Sequence, residues 1–391
     1  MTFCASRYFT AVLLVFLAGF LILPSSKAVN NFFYAFLLLP AVLLLIGFKA
    51  PRPHFSFLSA LWLSFFCWLA LTGLWGGDVK FFKYLFYTLV FCLIVWLWVS
   101  WQSFDKVCLF QIFFWGLIVY VTASALFFWL TGQVALGVRV LSLPSRLEGP
   151  ILTSILIVSC FALLLPEWLR DRRWLSILAA TTATLFCVGF VLQSRSGLVG
   201  LGVLLAVAFG QAAWFGEWRL RTAVVVVGAL LVLVFLWLLD DSKVVASLIT
   251  RADSGRFELW QLYLQEWIGC GLLLGCGPGF SPEILIERGI LIQHPHNIFL
   301  AIGFRYGVPG LLLFIAVMIA TLRQAWEQRN AWGAYLFIAL FMLNFDGREL
   351  IDSPHEVWLL VLLPAMLIAA RHQKDAKKRS SDPHSTALRE T

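Results

Sequence analysis

Charge is scarce in this sequence: Asp, Glu, Lys and Arg make up 13% of its 391 residues, against 61% hydrophobic residues. So little polar surface excludes a soluble globule of this size, and with a mean hydropathy of +0.88 the chain must use lipid as its solvent. Alternating hydrophobicity is missing as well. The apolar block from Thr222 to Leu239 runs without it, which excludes a membrane β-barrel, whose strands alternate over ~10 residues. Paired C-x-x-C spacing is absent among the eight cysteines, so most of them read as inert packing residues. No Gly-Lys-Ser/Thr follows the glycine-rich stretch Leu274–Phe280, which argues against a phosphate-cradling loop and for a tight turn.

What the sequence does hold is a succession of long apolar runs. A hydrocarbon core of ~30 Å takes about 20 helical residues to cross, and a helix satisfies its own backbone in lipid. The expected fold class is therefore all-α, a polytopic membrane protein with about twelve transmembrane helices. Their centres fall roughly on residues 16, 40, 65, 92, 118, 158, 184, 206, 230, 309, 338 and 363. The first run, Phe9 to Leu23, reads as an uncleaved anchor rather than a signal peptide. An even number of spans puts both termini on one side, and that side carries 17 of the 29 Lys and Arg residues, which makes it cytoplasmic. The expected organisation is helices one to nine over residues 1–239, a periplasmic loop over 240–293, helices ten to twelve over 294–370, and a basic cytoplasmic tail over 371–391 that touches lipid headgroups. Cys270 and Cys276 fall in the periplasmic loop, where a disulfide can persist, although unpaired thiols are the favoured expectation.

The polar residues that could carry chemistry gather on the periplasmic side. His294-Pro295-His296-Asn297 stands where helix ten begins, with Pro295 suited to a first turn. The positive end of that turn lowers an imidazole pKa, and a neutral histidine serves as a general base. The same pair also fits an interfacial cap, and zinc fits less well because it needs three or four protein ligands. Upstream, Arg256 opens an amphipathic stretch with Trp260, Tyr263 and Trp267 at helical spacing, capped by Asp253 or Ser254. A first-turn arginine opposes the helix dipole unless an anion binds there. The alternative is an ordinary surface pair with Glu258 or Asp253. Arg195 sits in the short turn Gln193-Ser194-Arg195-Ser196-Gly197 at the outer membrane edge, where a charge usually has a partner or snorkels. Arg305 either orients a site residue or belongs to a helix shifted outward. Between the last two helices, Asp346 to Glu356 forms a second outside cluster, either a binder of sugar hydroxyls or a solvated turn.

Taken together, Ser194-Arg195-Ser196-Gly197, Ser254-Gly255-Arg256 through Trp260, Gly275 through Gly279, and His294-Pro295-His296-Asn297 leading into Tyr306-Gly307 resemble the bacterial O-antigen ligase and lipid-linked polysaccharide polymerase family. The resemblance covers about residues 190 to 310. It implies transfer of a glycan from an undecaprenyl diphosphate carrier to a hydroxyl acceptor, which for the ligases is a lipid A-core sugar. It implies His296 as the catalytic base and Arg195 and Arg256 as the grip on the donor diphosphate. His294, Asn297, Arg288 and Arg305 are possible supporting residues. No metal, cofactor or nucleic acid is expected, and the partners are the lipid-linked donor, the lipid A-core acceptor and membrane lipid. A polymerase, a protein glycosyltransferase using the same donor, or in another class a flippase, are the competing readings.

Overall fold

A computed structural model of the chain describes residues 2–47, 51, 55–77, 79–147, 149–215, 256–280, 282, 284–285, 291–292 and 294–380. The chain folds as helix after helix. In order these are α1 (Thr2–Ile22), α2 (Ser26–Ile46), α3 (Phe57–Gly76), α4 (Val79–Trp98), α5 (Val107–Leu130), α6 (Pro150–Arg170), α7 (Trp174–Val191) and α8 (Arg195–Phe215). There follow α9 (Arg256–Cys270), α10 (Ile298–Glu327), α11 (Ala331–Asp346) and α12, which opens on a π-helical turn (Trp358–Leu362) and continues over Leu363–Ser380. Among the described residues, eight helices are long and apolar enough to cross a membrane, and the shorter apolar stretches Arg195–Gly210, Ala331–Asp346 and Trp358–Arg371 accompany them. The protein is an all-α polytopic membrane protein. The helix expected near residue 230 and the caps expected at Asp253 and Ser254 lie outside the described residues, as do Arg288 and the tail beyond residue 380.

Local sequence explains where several helices start. Ser25 caps α2, Ser56 and Ser59 form a reciprocal capping box on α3, and Asn330 caps α11 with its side chain accepting from Trp332 N. The helices then pack by shape, since lipid is as apolar as leucine and gives no hydrophobic drive between them. At the centre stands α6, with 83% of its most apolar window buried against 56% or less in the other spans. Its main partner is α11, while α10 lies chiefly against α3. On the outside, Leu63, Val119, Leu312 and Ile319 are more than half exposed. Such apolar surface is a liability in water and ordinary against lipid.

Two features depart from the sequence expectation. A two-residue antiparallel ladder, β1 (Ile284–Leu285) with β2 (Leu291–Ile292), forms in the segment before α10. And Cys270 and Cys276, favoured above as unpaired thiols, are joined by a disulfide. Turn geometry is the cause. Left-handed Gly271 and Gly275 fold the chain back after α9, which brings the two Cα atoms to 5.0 Å, within the range a disulfide spans.

The disulfide-closed turn serves α10. This helix breaks at Gly307, whose φ of +71° is a conformation suited to glycine, and a side chain there would collide with the Leu273 carbonyl. A break frees backbone groups that lipid cannot satisfy. They are met by protein: Cys276 N donates to Phe304 O at 2.8 Å, Gly277 N to Arg305 O at 3.1 Å, Val308 N to Leu272 O at 2.9 Å, and the Trp68 indole to Tyr306 O at 2.8 Å. Gly279 N donates to Gly76 O at 2.6 Å, which ties the same turn to the end of α3. The half-helix before the break thus holds a fixed direction, and the site is built on it.

Candidate active site

The half-helix from Ile298 to Tyr306 starts at a tightly determined point. Asn297 is its N-cap, with Oδ1 accepting from Phe299 N at 3.0 Å and Leu300 N at 3.1 Å. Of the expected supporting residues, Asn297 therefore has a structural task as a cap, with a typical value of ~1 kcal/mol. Just before it, His296 takes a φ of +52°. For a residue other than glycine this left-handed conformation costs on the order of 1–3 kcal/mol and collects at functional sites. Gln193, two residues before Arg195, does the same with a φ of +45°. Among the described residues the other left-handed ones that are not glycine, Arg172 and Arg329, sit just past helix C-termini, a common place for such a turn.

His296 is half-exposed, and its Nδ1 lies 2.5 Å from Oδ1 of the nearly buried Asp346, the last residue of α11. That contact fixes the tautomer. With the carboxylate as acceptor, Nδ1 carries the proton and donates, which leaves the Nε2 lone pair as a base. The approach of the two segments depends on Gly347, because a Cβ there would sit 2.2 Å from Ile298 N. His294 lies beside His296, with ring centroids 4.4 Å apart and the rings tilted by 56°. Burial, then the neighbouring His296 and Arg348, push the His294 imidazole down to about 4 against a partial pull from Asp346, so it is neutral near pH 7. The Trp260 indole of α9 donates to Pro295 O at 2.9 Å, which links the loop helix to the histidine segment.

The two expected arginines reach the same place from different elements. Arg195 is the first residue of α8 and Arg256 the first described residue of α9. Burial lowers the Arg256 guanidinium below its ordinary value, Asp346 offsets that, and the neighbouring positive charge of Arg195 adds to it. Arg195, Arg256, Asp346 and His296 therefore form one electrostatic neighbourhood assembled from α8, α9, α10 and α11. Arg256 fits its helix by the face it leaves inside: Leu259, Tyr263 and Trp267 are buried against Phe304 of α10, while Phe257, Leu264 and Ile268 are exposed. Among the described residues no group of three or more His, Cys, Asp and Glu is placed to hold a metal ion.

The partner of His296 and a buried ion pair elsewhere in the bundle were not legible in the sequence. Asp346 stood in the outside cluster read as either a binder of sugar hydroxyls or a solvated turn, with no local sign that it meets His296 across 50 residues. Arg146, in the connection between α5 and α6, pairs with Glu356 at 3.2 Å, and both side chains are largely buried. That same connection braces the turn before Arg195: Val140 N donates to Val191 O at 3.1 Å, Arg139 Nε to Leu192 O at 2.9 Å, and the Gln193 amide to Gly137 O at 2.9 Å. The one available signal was two arginines in a membrane-edge connection.

Residues 180–315, which hold Arg195, Arg256, the disulfide turn and both histidines, match the family model described as O-antigen ligase. Over that stretch, about a third of its length, the chain is similar to the O-antigen ligase family. It is also 27% identical over 242 residues to a protein of Pseudomonas aeruginosa strain PAO1 named O-antigen ligase. That alignment covers 58% of this chain and 57% of the relative, so the chain matches little more than half of the relative's length. The family region opens within α7, and Asp346, Arg146 and Glu356 stand outside it in sequence. The site therefore draws on more of the chain than the family match covers.

Proposed function

We propose that this protein is an O-antigen ligase, which transfers a glycan from undecaprenyl diphosphate to a hydroxyl of a lipid A-core sugar at the periplasmic face of the bacterial inner membrane. The observation that carries the reading is Arg256, which is electrostatically coupled both to Arg195 and to the Asp346 carboxylate that holds His296. Nε2 of His296 removes the acceptor hydroxyl proton as the oxygen attacks the anomeric carbon. The bond from that carbon to the diphosphate oxygen breaks, and its electron pair leaves with the diphosphate. Direct displacement inverts the anomeric centre.

A sugar diphosphate is already a good leaving group, so the main need is to neutralise its developing charge. Hydrogen bonds to charged groups are worth ~1.5–3 kcal/mol each, and two guanidinium forks offer several without a metal ion. General-base help adds roughly 10²–10⁴ in rate. The exposed apolar face of α9 suits immersion in the outer leaflet, where a lipid-linked donor and a lipid-linked acceptor meet. A disulfide at Cys270–Cys276 suits the oxidising periplasm and supports placing this end of the bundle there. Cytoplasmic termini follow from the same orientation, and the 294–370 and 240–293 boundaries remain the working division of the chain.

The test is ligation by the purified full chain in lipid nanodiscs, supplied with a polyprenyl-diphosphate glycan and lipid A-core and no added divalent metal. Glycan attached to the core is the expected product. Longer carrier-linked chains with an unmodified core would replace this reading with a polymerase.

A further inference from the structure

We infer that Arg305 is a positioning residue, which sets the His296–Asp346 pair by clamping the segment after Asp346 along the half-helix that carries His296. The inference rests on the functional reading above. Arg305 lies within the half-helix and is only 7% exposed. One end of its guanidinium pairs with Glu349 and the other donates to Pro278 O at 2.5 Å. Its own carbonyl accepts from Gly277 N. One residue therefore touches the half-helix, the disulfide-closed turn and the segment that follows Asp346.

The geometry of that segment shows what the clamp controls. Gly347 rests directly on Ile298 N, and Glu349 is held by Arg305 further along the same half-helix. The stretch from Asp346 to Glu349 thus lies along the half-helix and is fixed at both ends. A third restraint comes from below: buried His355 is hydrogen-bonded through Nε2 to Glu349 O at 2.8 Å, and burial lowers its pKa so that the neutral ring donates there. Desolvating a guanidinium and a carboxylate is repaid only when the geometry is good. What an ion pair gives that an apolar contact cannot is direction. Asp346 must meet a ring nitrogen at hydrogen-bond distance, and a displacement of an ångström turns the imidazole or frees it. Lysine offers a point charge in place of a fork, so it reaches Glu349 or Pro278 but not both.

The experiment is a double-mutant cycle in the reconstituted protein, with Arg305→Gln and Asp346→Asn made singly and together, and kcat and donor KM measured for ligation. If Arg305 acts through Asp346, Arg305→Gln lowers kcat by about 10–100-fold with donor KM nearly unchanged. The double variant is then no slower than Asp346→Asn alone, to within a factor of about 2–3. Arg305→Lys recovers part of the lost kcat. Losses that multiply in the double variant, or a rise in donor KM at constant kcat, would overturn the inference. Should Arg305→Gln fold poorly, Glu349→Gln carries the same prediction, because it leaves Arg305 its bond to Pro278. Absence of ligation by the unsubstituted protein would count against the functional reading, whereas ligation with a multiplicative cycle would count against Arg305 alone.

Discussion

Nδ1 of His296 and Oδ1 of Asp346 lie 2.5 Å apart although 50 residues separate them in the chain. The contact joins the start of one helix to the end of another, and it makes Nε2 the basic nitrogen. If the proposed reaction is right, both residues matter for different reasons. His296→Ala removes the base and ligation falls to background. Asp346→Asn keeps the shape but lets the amide donate to Nδ1, which sends the ring proton to Nε2 and blocks it. A loss of roughly 10²–10⁴ in kcat is expected. Ligation rates of both variants, checked for insertion and folding by circular dichroism, decide it. An Asp346→Asn protein with normal kcat would remove the carboxylate from the mechanism.

Arg195 and Arg256 should act on the donor. Each single change to Ala is expected to raise the donor KM by about 10–100-fold, from ~1.5–3 kcal/mol of charge-assisted bonding. Lysine at either position should restore only part, because it cannot bind a phosphate with two parallel bonds. Donor titration at fixed acceptor reads this out. Unchanged donor affinity in the Arg195→Ala, Arg256→Ala double variant would leave the diphosphate role without support.

Stability should depend on pH through His294. The folded imidazole titrates at about 4, the unfolded one near 6.5. Between those values the unfolded state binds more protons than the folded state, so stability falls as pH drops from 6.5 toward 4. Above 6.5 the contribution is constant. Thermal unfolding in detergent at pH 6.5, 5.5 and 4.5 should show the decline, and His294→Gln should flatten it. Equal slopes in the two proteins would show that other groups carry the acid sensitivity.

Arg146→Met leaves Glu356 charged and buried with its ion partner gone. Loss of one partner from a buried pair costs about 3–5 kcal/mol, while replacing both with apolar residues is often neutral. The single variant should express poorly or melt early, and Arg146→Met with Glu356→Leu should recover much of the loss. A double variant that melts as early as the single one would mean that the pair does more than compensate its own burial.

How much of this was legible depended on what imposes each feature. Lipid imposes length and apolarity on every span, so α1 to α8 and α10 to α12 stand close to their expected positions. Arg195, Arg256 and His296 stood out as candidates because polar groups at a membrane edge are costly and few. That they gather on one side of the membrane was expected, but the pairing of His296 with Asp346 was not. The sequence spacing between Arg195, Arg256 and Asp346 carries no information about which of them share a face of the bundle, and only packing decides it. The Cys270–Cys276 bond was judged from compartment alone, whereas the left-handed glycines that bring the two together are a backbone property. Nothing near Arg146 in the chain announces its pairing with Glu356.

The break at Gly307 turns α10 into two rods with different tasks. From Val308 to Glu327 the rise at 1.5 Å per residue is about 30 Å, the thickness of the hydrocarbon layer. In the orientation proposed above, the rod before the break would stand above that layer and hold the preceding His296 at a height set by residue count. The helix is in effect a depth gauge, with the bilayer as its reference surface. One extra turn in the lower rod would lift His296 by about 5.4 Å relative to any headgroup anchored in the lipid.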